Sequence, residues 1–407
     1  MADNDIEQVV RKMAQTPLSR RGFLWASGLS AGAAFLAACS PSTTPSASTP
    51  PSSSAAPTEA ASSAPSAAAS PSAAAVVVEK ELLMYNWGDY VDPSNMAAFQ
   101  VLYGVEKFTY DTFASNDEMM AKFQGGAKGQ WDISAPTANF VPAMRQQGFI
   151  QKLDLAAIPN ASLIDPTFKK QWWDPTDEWQ LPKDWGTTGI TLRTKVVKEE
   201  VKTWKQFFEV APKYSGRIVV VDSPDDVFVA PLKALGYSLN SADPKELGEA
   251  RTLLLGLAPH VLALDSDQYQ TKIASEEAVM GLTWTGGILD LRDKPETADV
   301  VYLIPEDGTV FWMDTWVVLA DAPHPKAANA FLNYILEPHN QAKESMTNQY
   351  ATCSSAAKAF IAPKMLADQA VFVPEAVQAR LEGQKDNSGV KLRAQIYEEF
   401  KSKIGQG

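Results

Sequence analysis

Residues 82–99 read LLMYNWGDYVDPSNMAAF, and this stretch sets the pattern for the folded part of the chain. Residues 82–87 form an apolar run of strand length, which predicts a buried β-strand. Asp92 and Pro93 follow a short loop and are typical of a helix start, with Asp as the N-cap and Pro in the first turn. A strand that leads directly into a helix is the repeating unit of an α/β protein.

The alternation of strands and helices continues along the chain. In the first unit we predict strands at 105–113 and 132–135, with helices that begin at Asn116 and after Asn139. A second unit starts after Gly186. Its predicted elements are, in chain order, strand 188–193, helix 203–214, strand 217–221, a helix from Asp225, and strands 261–264 and 279–284. The pattern predicts two α/β units, each with a mostly parallel sheet covered by helices.

Tryptophans and carboxylates stand at the ends of several strands, where ligands of open α/β sheets bind. These residues are Trp87, Asp89, Tyr90, Trp284, Trp312 and Asp314. Aromatic faces cover the methylenes of an organic polyammonium and attract its charge, and carboxylates pair with its ammonium groups. The alternative is that each Trp belongs to the core and each Asp caps a helix, as we expect for Asp92.

The first 39 residues have the features of an export signal. Arg20 and Arg21 precede an apolar run that is too short to span a membrane, and 36–39 read LAAC. The arginine pair resembles a twin-arginine signal, and the LAAC stretch resembles a bacterial lipobox. We therefore expect the mature protein to begin at Cys39, to carry lipid on that thiol and to work outside the cytoplasm. Residues 40–78 are rich in Ser, Pro and Ala, which predicts a disordered tether.

Length and charge narrow the remaining choices. About 330 residues follow the tether, which suits two lobes better than one domain. The whole chain carries −12, and residues 1–39 hold three acidic and four basic side chains, so the mature chain carries −13. An acidic surface argues against nucleic acid as a partner. Cys353 is the one cysteine besides Cys39, so no disulfide framework is available.

Catalytic signatures are poor in this sequence. It contains no P-loop motif and no HExxH motif, and its three histidines are scattered. The one G-x-S-x-G match, at 28–32, lies inside the export signal and not at a strand-to-helix turn. We predict no catalytic residue, no metal site and no cofactor.

Five stretches carry a family resemblance: 85–91, 115–119, 149–154, 310–314 and 396–399. With similar spacing from about Leu82 to the last helix, they resemble the spermidine/putrescine-binding proteins of bacterial ABC importers. The resemblance implies an α/β fold of the two-lobed periplasmic-binding-protein kind, type II-like, with hinge crossings near 185–186 and 312–313. It further implies that lobe one is 79–186 plus 313–358 and that lobe two is 187–312 plus 359–407.

The resemblance also implies a set of ligand contacts between the lobes. These are Trp87, Asp89, Tyr90, Asn139, Ser223, Asp226, Trp284, Trp312, Asp314, Tyr350 and Gln384. Two of them depart from the spermidine binders, which carry a tyrosine where Asn139 stands and an aspartate where Ser223 stands. Because a buried ammonium without a partner is costly, the missing carboxylate favours a diamine over a triamine.

The sequence therefore predicts a lipid-anchored, monomeric receptor that captures a polyamine, with putrescine or a similar short amine favoured over spermidine, and delivers it to an ABC permease. Two alternatives remain open at this stage. The same fold could bind another small cationic or neutral metabolite. The chain could instead be a tethered extracellular hydrolase that uses Asp89 and Asp314 as an acid/base pair.

Overall fold

The computed structural model describes residues 77–385 and 388–405. The predicted export signal, with Arg20, Arg21 and Cys39, and nearly all of the predicted tether lie outside the described residues. Val78, at the end of that tether, is 8% exposed and packs in the core. Within the described part, none of the helices has the length and apolar character needed to cross a membrane.

Eleven strands occur in the described part of the chain. In order they are β1 Glu81–Trp87, β2 Lys107–Phe113, β3 Ile133–Ser134, β4 Leu181–Arg193, β5 Ile218–Val220, β6 Val261–Leu264, β7 Met280–Trp284, β8 Val300–Leu303, β9 Thr309–Val318, β10 Ala351–Thr352 and β11 Leu381–Gly383.

The α-helices lie between these strands and after them. In order they are α1 Pro93–Tyr103, α2 Asn116–Gln124, α3 Val141–Gln146, α4 Trp204–Val210, α5 Pro224–Val227, α6 Val229–Ala234, α7 Pro244–Leu257, α8 Tyr269–Ala274, α9 Ile288–Arg292, α10 Pro325–Ile335, α11 Pro338–Asn348, α12 Pro363–Leu366, α13 Glu375–Gln378 and α14 Val390–Lys403.

The helix starts follow the local sequence signals. Asp92 caps α1, and its side chain accepts hydrogen bonds from the backbone N–H groups of Ser94 and Asn95. Ser115 caps α2 in the same way, because its side chain accepts a hydrogen bond from the backbone N–H of Glu118. Phe99 of α1 is fully buried, whereas Leu102 on the same helix is 51% exposed.

The sheet is mixed rather than mostly parallel, which corrects the sequence prediction. Strand order along the sheet is β2-β1-β3-β9-β4-β7-β5-β6. Pairing is parallel at both ends, where β1 joins β2 and β3 and where β5 joins β6 and β7. It is antiparallel in the middle, where β4 joins β7 on one side and β9 on the other. The two long strands, β4 and β9, cross from one α/β unit to the other.

The crossing strands place the two predicted hinge crossings side by side. Trp185 of β4 pairs with Met313 of β9, and Gly186 pairs with Trp312. The fold therefore has two α/β lobes joined by two crossing strands, as predicted. β4 begins at Leu181, whereas the sequence predicted an extended segment only from Thr188.

Separate apolar cores support the two halves. One core contains Leu82, Phe99 and Phe331, and another contains Trp204, Phe228 and Phe400. The loops that follow β1, β3, β5 and β7 meet between these halves, because the carboxyl ends of parallel strands share one edge of a sheet.

Candidate functional site

The loop after β1 brings Tyr90 into the centre of the molecule. Asp89 has a φ of 52°, a left-handed conformation that Asp tolerates better than most side chains, and the chain turns there. The Tyr90 hydroxyl oxygen lies 2.5 Å from Asp184 Oδ1 and 2.6 Å from Asp314 Oδ2, so its single proton can be donated to either carboxylate. Burial and the two carboxylates raise the pKa of Tyr90 well above its ordinary value, so the phenol remains a donor.

Asp314 is a buried carboxylate with one oxygen that lacks a hydrogen-bond partner in the described part of the chain. Its residue is 6% exposed, and its Oδ1 has no hydrogen-bond partner among the described residues. Burial, followed by the charge of Asp184, raises the pKa of Asp314 to about 7, and interactions with Tyr90, Thr137 and Lys183 lower it only in part. An unpartnered buried carboxylate oxygen is costly unless something binds it, which makes this atom a candidate cation site.

Asp184 and Lys183 were missed by the sequence analysis. Asp184 lies opposite Asp314 in the β4–β9 ladder, and Lys183 Nζ lies 2.5 Å from Asp184 Oδ2. The two predicted hinge crossings would have revealed them, since pairing Trp185 with Met313 places Asp184 opposite Asp314 in antiparallel register.

Trp312 and Tyr350 form an aromatic wall beside these carboxylates. Their rings meet edge to face with centroids 4.7 Å apart, and the Tyr90 and Tyr350 centroids are 5.9 Å apart. The Trp312 ring lies against Gly186, where a Cβ would approach it to 2.6 Å. Glycine is therefore required at this crossing for the ring to reach its position. The indole Nε1 of Trp312 is buried without a partner among the described residues.

Trp87 and Trp284 meet from opposite halves of the molecule. Their ring centroids are 6.0 Å apart with an interplanar angle of 77°. Trp87 is held by a hydrogen bond from its Nε1 to the carbonyl of Ala135 at 2.9 Å. Both residues are half-buried.

Asp226 supplies a buried carboxylate from the second half. It lies in α5, is 8% exposed and accepts a hydrogen bond from the Thr188 hydroxyl. Burial raises its pKa, and hydrogen bonds with Thr188, Ser223 and Trp284 oppose that rise. Ser223 and Trp284 therefore both contact Asp226, which places three of the predicted site residues together.

Asn139 connects the two halves directly. Its Nδ2 donates to Asp225 Oδ2 at 3.0 Å, and its own Oδ1 is buried without a partner among the described residues. Burial, with the neighbouring Asp117 and Asp226, raises the pKa of Asp225 to about 6, and Asn139 lowers it.

Two predicted site residues stand apart from these clusters. Asp89 is exposed, and no hydrogen bond in the described part of the chain joins it to Tyr90 or Asp314. Gln384 directly follows β11, whose last residue pairs with Phe311, and it is half-buried. The hydrolase alternative uses Asp89 and Asp314 as an acid/base pair, and no contact between these two carboxylates is present in the described residues.

The site as a whole is acidic, aromatic and largely buried. Asp184, Asp226 and Asp314 are buried among indole and phenol rings, and Lys183 is the cation paired with this group. In a low-dielectric setting an ammonium group would interact strongly with Asp314 and with the ring faces. Alkyl segments of the same ligand would lie against Trp284 and Trp312.

Comparisons with known proteins identify a family of solute-binding proteins and a spermidine/putrescine-binding relative. The sequence model of the family described as bacterial extracellular solute-binding protein matches residues 95–373. The spermidine/putrescine-binding periplasmic protein of Escherichia coli (strain K12) is 32% identical over 327 residues, which cover 80% of this chain and 92% of that protein.

Solved structures with the same fold include two relevant relatives. A putative spermidine/putrescine ABC transporter from Listeria monocytogenes has a TM-score of 0.74 and 28% identity, covering 79% of this chain and 99% of that one. A lipoprotein of Treponema pallidum has a TM-score of 0.69 and 26% identity, with the same two coverages of 79% and 99%.

Proposed function

Because this chain belongs to the bacterial extracellular solute-binding proteins, we propose that it captures a polyamine between its lobes and delivers it to an ABC permease. The spermidine/putrescine-binding relative from Escherichia coli supports the ligand class. The single observation that carries the proposal is the buried Oδ1 of Asp314, which is unpartnered among the described residues and lies in a cluster with the aromatic rings of Tyr90, Trp312 and Tyr350. A buried carboxylate oxygen beside aromatic ring faces stabilises an alkylammonium group.

The ligand's two ends would be held differently. One ammonium binds Asp314 Oδ1, with Trp312 and Tyr350 as the surrounding aromatic wall. The methylene chain lies along Trp284 and Trp87, whose rings approach each other to 6.0 Å. The second ammonium binds Asp226, which is the buried carboxylate of the other half. Each ammonium thereby gains a charged partner, which repays its loss of hydration.

Lobe closure is the conformational part of the proposal. We assign lobe one to 79–186 plus 313–358 and lobe two to 187–312 plus 359–407, so that the lobes meet at β4 and β9. Binding would favour the closed form because the ligand contacts both lobes, and the Asn139–Asp225 hydrogen bond at 3.0 Å would add to closure. Asn139 would then act in closure rather than as a ligand contact.

Location and anchoring follow from the N-terminal sequence. The relatives' periplasmic or extracellular assignment supports a site of action outside the cytoplasm. We propose that Cys39 carries lipid, that Arg20 and Arg21 direct export of the folded protein, and that the tether to the membrane runs from residue 40 to 77, one residue shorter than the sequence predicted because Val78 packs in the core. The lipoprotein among the structural relatives makes such an anchor reasonable for this fold.

Anchoring is tested by two variants in cells that produce the full chain. Cys39→Ala should abolish labelling by a radioactive fatty acid and release the protein from the membrane fraction. Arg20→Lys with Arg21→Lys should block export. Lipid labelling that persists in Cys39→Ala, or unchanged export of the arginine variant, would contradict the assignment.

The function itself is tested by binding and turnover on the same purified protein. Putrescine, spermidine, spermine, agmatine and a set of amino acids are titrated, and each is then recovered and identified by mass spectrometry. A polyamine receptor binds amines at a 1:1 ratio and returns them intact. Preference for an amino acid or a neutral metabolite would favour the same fold with another ligand. Chemical conversion of a bound compound would favour a hydrolase, and the proposed receptor function would then be wrong.

A further inference from the structure

Lys183 is a buried ammonium in the cluster around Tyr90. Its side chain is 1% exposed, and that of Asp184 is 3% exposed, with 2.5 Å between Nζ and Oδ2. Nζ also lies 3.4 Å from the centroid of the Tyr90 ring and 5.4 Å from that of Trp316. A lysine is seldom buried to this extent unless it is paired with an anion. The role of Lys183 therefore depends on which carboxylate it pairs with.

The hydrogen bonds of Asp184 account for both of its oxygens. Oδ1 accepts from the Tyr90 hydroxyl at 2.5 Å, and Oδ2 accepts from Lys183 and from Asn348 Nδ2, the latter at 2.7 Å. Asp314 differs, because Tyr90 binds only its Oδ2 and leaves Oδ1 free. Two carboxylates thus lie side by side, and one of them is already satisfied.

A second carboxylate near Lys183 does not compete for it. Glu344 interacts with Lys183, and its Oε1 accepts hydrogen bonds from Asn95 Nδ2 at 2.7 Å and from the backbone N–H of Asp92 at 3.0 Å. Its Oε2 has no partner among the described residues, yet the contact formed by Lys183 Nζ is the one with Asp184. Lys183 therefore neutralises Asp184 in particular.

We propose that Lys183 is a specificity-determining residue that reduces the number of carboxylates offered to the ligand. Its ammonium takes up the charge of Asp184, so this half of the site presents Asp314 alone and favours a ligand with two ammonium groups over one with three. This inference rests on the proposed polyamine function and adds the reason for its selectivity. It is independent of the departures at Asn139 and Ser223, which contact Asp225 and Asp226 rather than Asp184 in the described part of the chain.

The test is the ratio of spermidine affinity to putrescine affinity, measured by calorimetry at about pH 8. Lys183→Met removes the ammonium and keeps a side chain of similar length, which leaves Asp184 available to a third ligand ammonium. The ratio should rise at least about tenfold. The double variant Lys183→Met with Asp184→Asn removes both charges and should return the ratio to the parent value. Because the readout is a ratio, a general loss of affinity does not obscure it.

Lys152→Met is the matched control. Lys152 pairs with Glu178 at 2.9 Å and lies 5.8 Å from the Trp179 ring, but its side chain is 58% exposed and it has no contact with the Tyr90 cluster in the described residues. Its removal should leave the ratio within about twofold of the parent value.

The outcomes separate this inference from the function on which it rests. A parent protein that binds neither amine overturns the polyamine function, and the inference falls with it. A parent that binds putrescine while Lys183→Met keeps the parent ratio overturns the inference alone. If Lys183→Met does not fold, the double variant decides. If the ratio of spermidine affinity to putrescine affinity is about tenfold lower in the double variant than in the parent, Asp184 itself binds a ligand ammonium in the parent, which contradicts the proposal.

Discussion

Asp184 and Asp314 lie directly opposite each other on the antiparallel strands β4 and β9. Like charges at opposed positions of a sheet destabilise it, and both residues are almost completely buried. Tyr90 reduces the repulsion because its hydroxyl lies between the carboxylates and can donate to either, and Lys183 neutralises Asp184. The free-energy cost of burying an unpaired charge therefore remains at Asp314, and a cationic ligand bound there would lower it.

Ligand affinity should depend on pH through Asp314. Its pKa of about 7 means that the carboxyl group is largely protonated below neutral pH and cannot pair with an ammonium. An alkylammonium, like a lysine side chain, stays charged over this range. Putrescine affinity should therefore rise about tenfold to thirtyfold from about pH 5.5 to pH 8, with proton release on binding. Calorimetry in buffers of different ionisation enthalpy measures both quantities.

Asp314→Asn is the control for this pH dependence, because an amide does not titrate. Its residual affinity should vary much less over the same range. A parent affinity that is constant with pH, or an equal slope in the variant, would show that another group controls binding.

The unliganded protein should be stabilised by the same substitution at high pH. Because the pKa of Asp314 is raised, its favourable contribution is fully present below the ordinary pKa of Asp and is lost as pH rises through about 7. Relative to the parent, Asp314→Asn should gain on the order of 1–3 kcal/mol in unfolding free energy between about pH 5 and pH 8. Denaturant unfolding at both pH values measures the difference. If the difference in unfolding free energy between Asp314→Asn and the parent is the same at both pH values, this prediction is wrong.

Trp284 should contribute to binding through its ring face. Trp284→Ala removes methylene contact and cation–π attraction, so affinity should fall by about 1–3 kcal/mol. Putrescine should also change the tryptophan fluorescence of the parent, since Trp284 and Trp87 approach each other across the cleft. Trp172→Ala serves as control, because Trp172 is 40% exposed and contacts Trp173 instead. Parent affinity in Trp284→Ala would make this ring part of the ordinary core.

Asn139 should favour the closed form. Asn139→Ala removes the hydrogen bond to Asp225, so ligand affinity should fall by about 1 kcal/mol, and the unliganded protein should have a larger radius of gyration in X-ray scattering. Asn329→Ala is the matched control, since Asn329 bonds within its own helix to Pro325. If both variants scatter like the parent and bind equally well, the contact with Asp225 has no role in closure.

Much of the fold could be predicted because its signals are local. The apolar run of β1, the Asp92 cap of α1 and the 261–264 strand are each specified by neighbouring residues, and the structure has them at or near the predicted bounds. The first half of β4 was missed because Lys183 and Asp184 interrupt its apolar pattern. A charged pair within a buried strand is stable only with tertiary partners, and these come from residues far away in the sequence.

The candidate site was predictable to a similar extent. Tyr90, Trp312, Asp314 and Tyr350 form one cluster, and Ser223, Asp226 and Trp284 form another. Sequence could not reveal that Asn139 donates a hydrogen bond to Asp225, because that contact joins segments that follow different strands and lie far apart in the chain. Nor could the exposure of Asp89 be foreseen, since it depends on the turn that its left-handed backbone makes.

The most direct test of the central claim is a calorimetric titration of putrescine into the parent protein and into Asp314→Asn at about pH 8. The substitution keeps the shape of the side chain and removes its charge. The account predicts 1:1 binding to the parent and a loss of about 2–5 kcal/mol in the variant, because the ligand's ammonium loses its buried partner. No binding of putrescine or of any longer polyamine to the parent, or equal affinity in the two proteins, would contradict it.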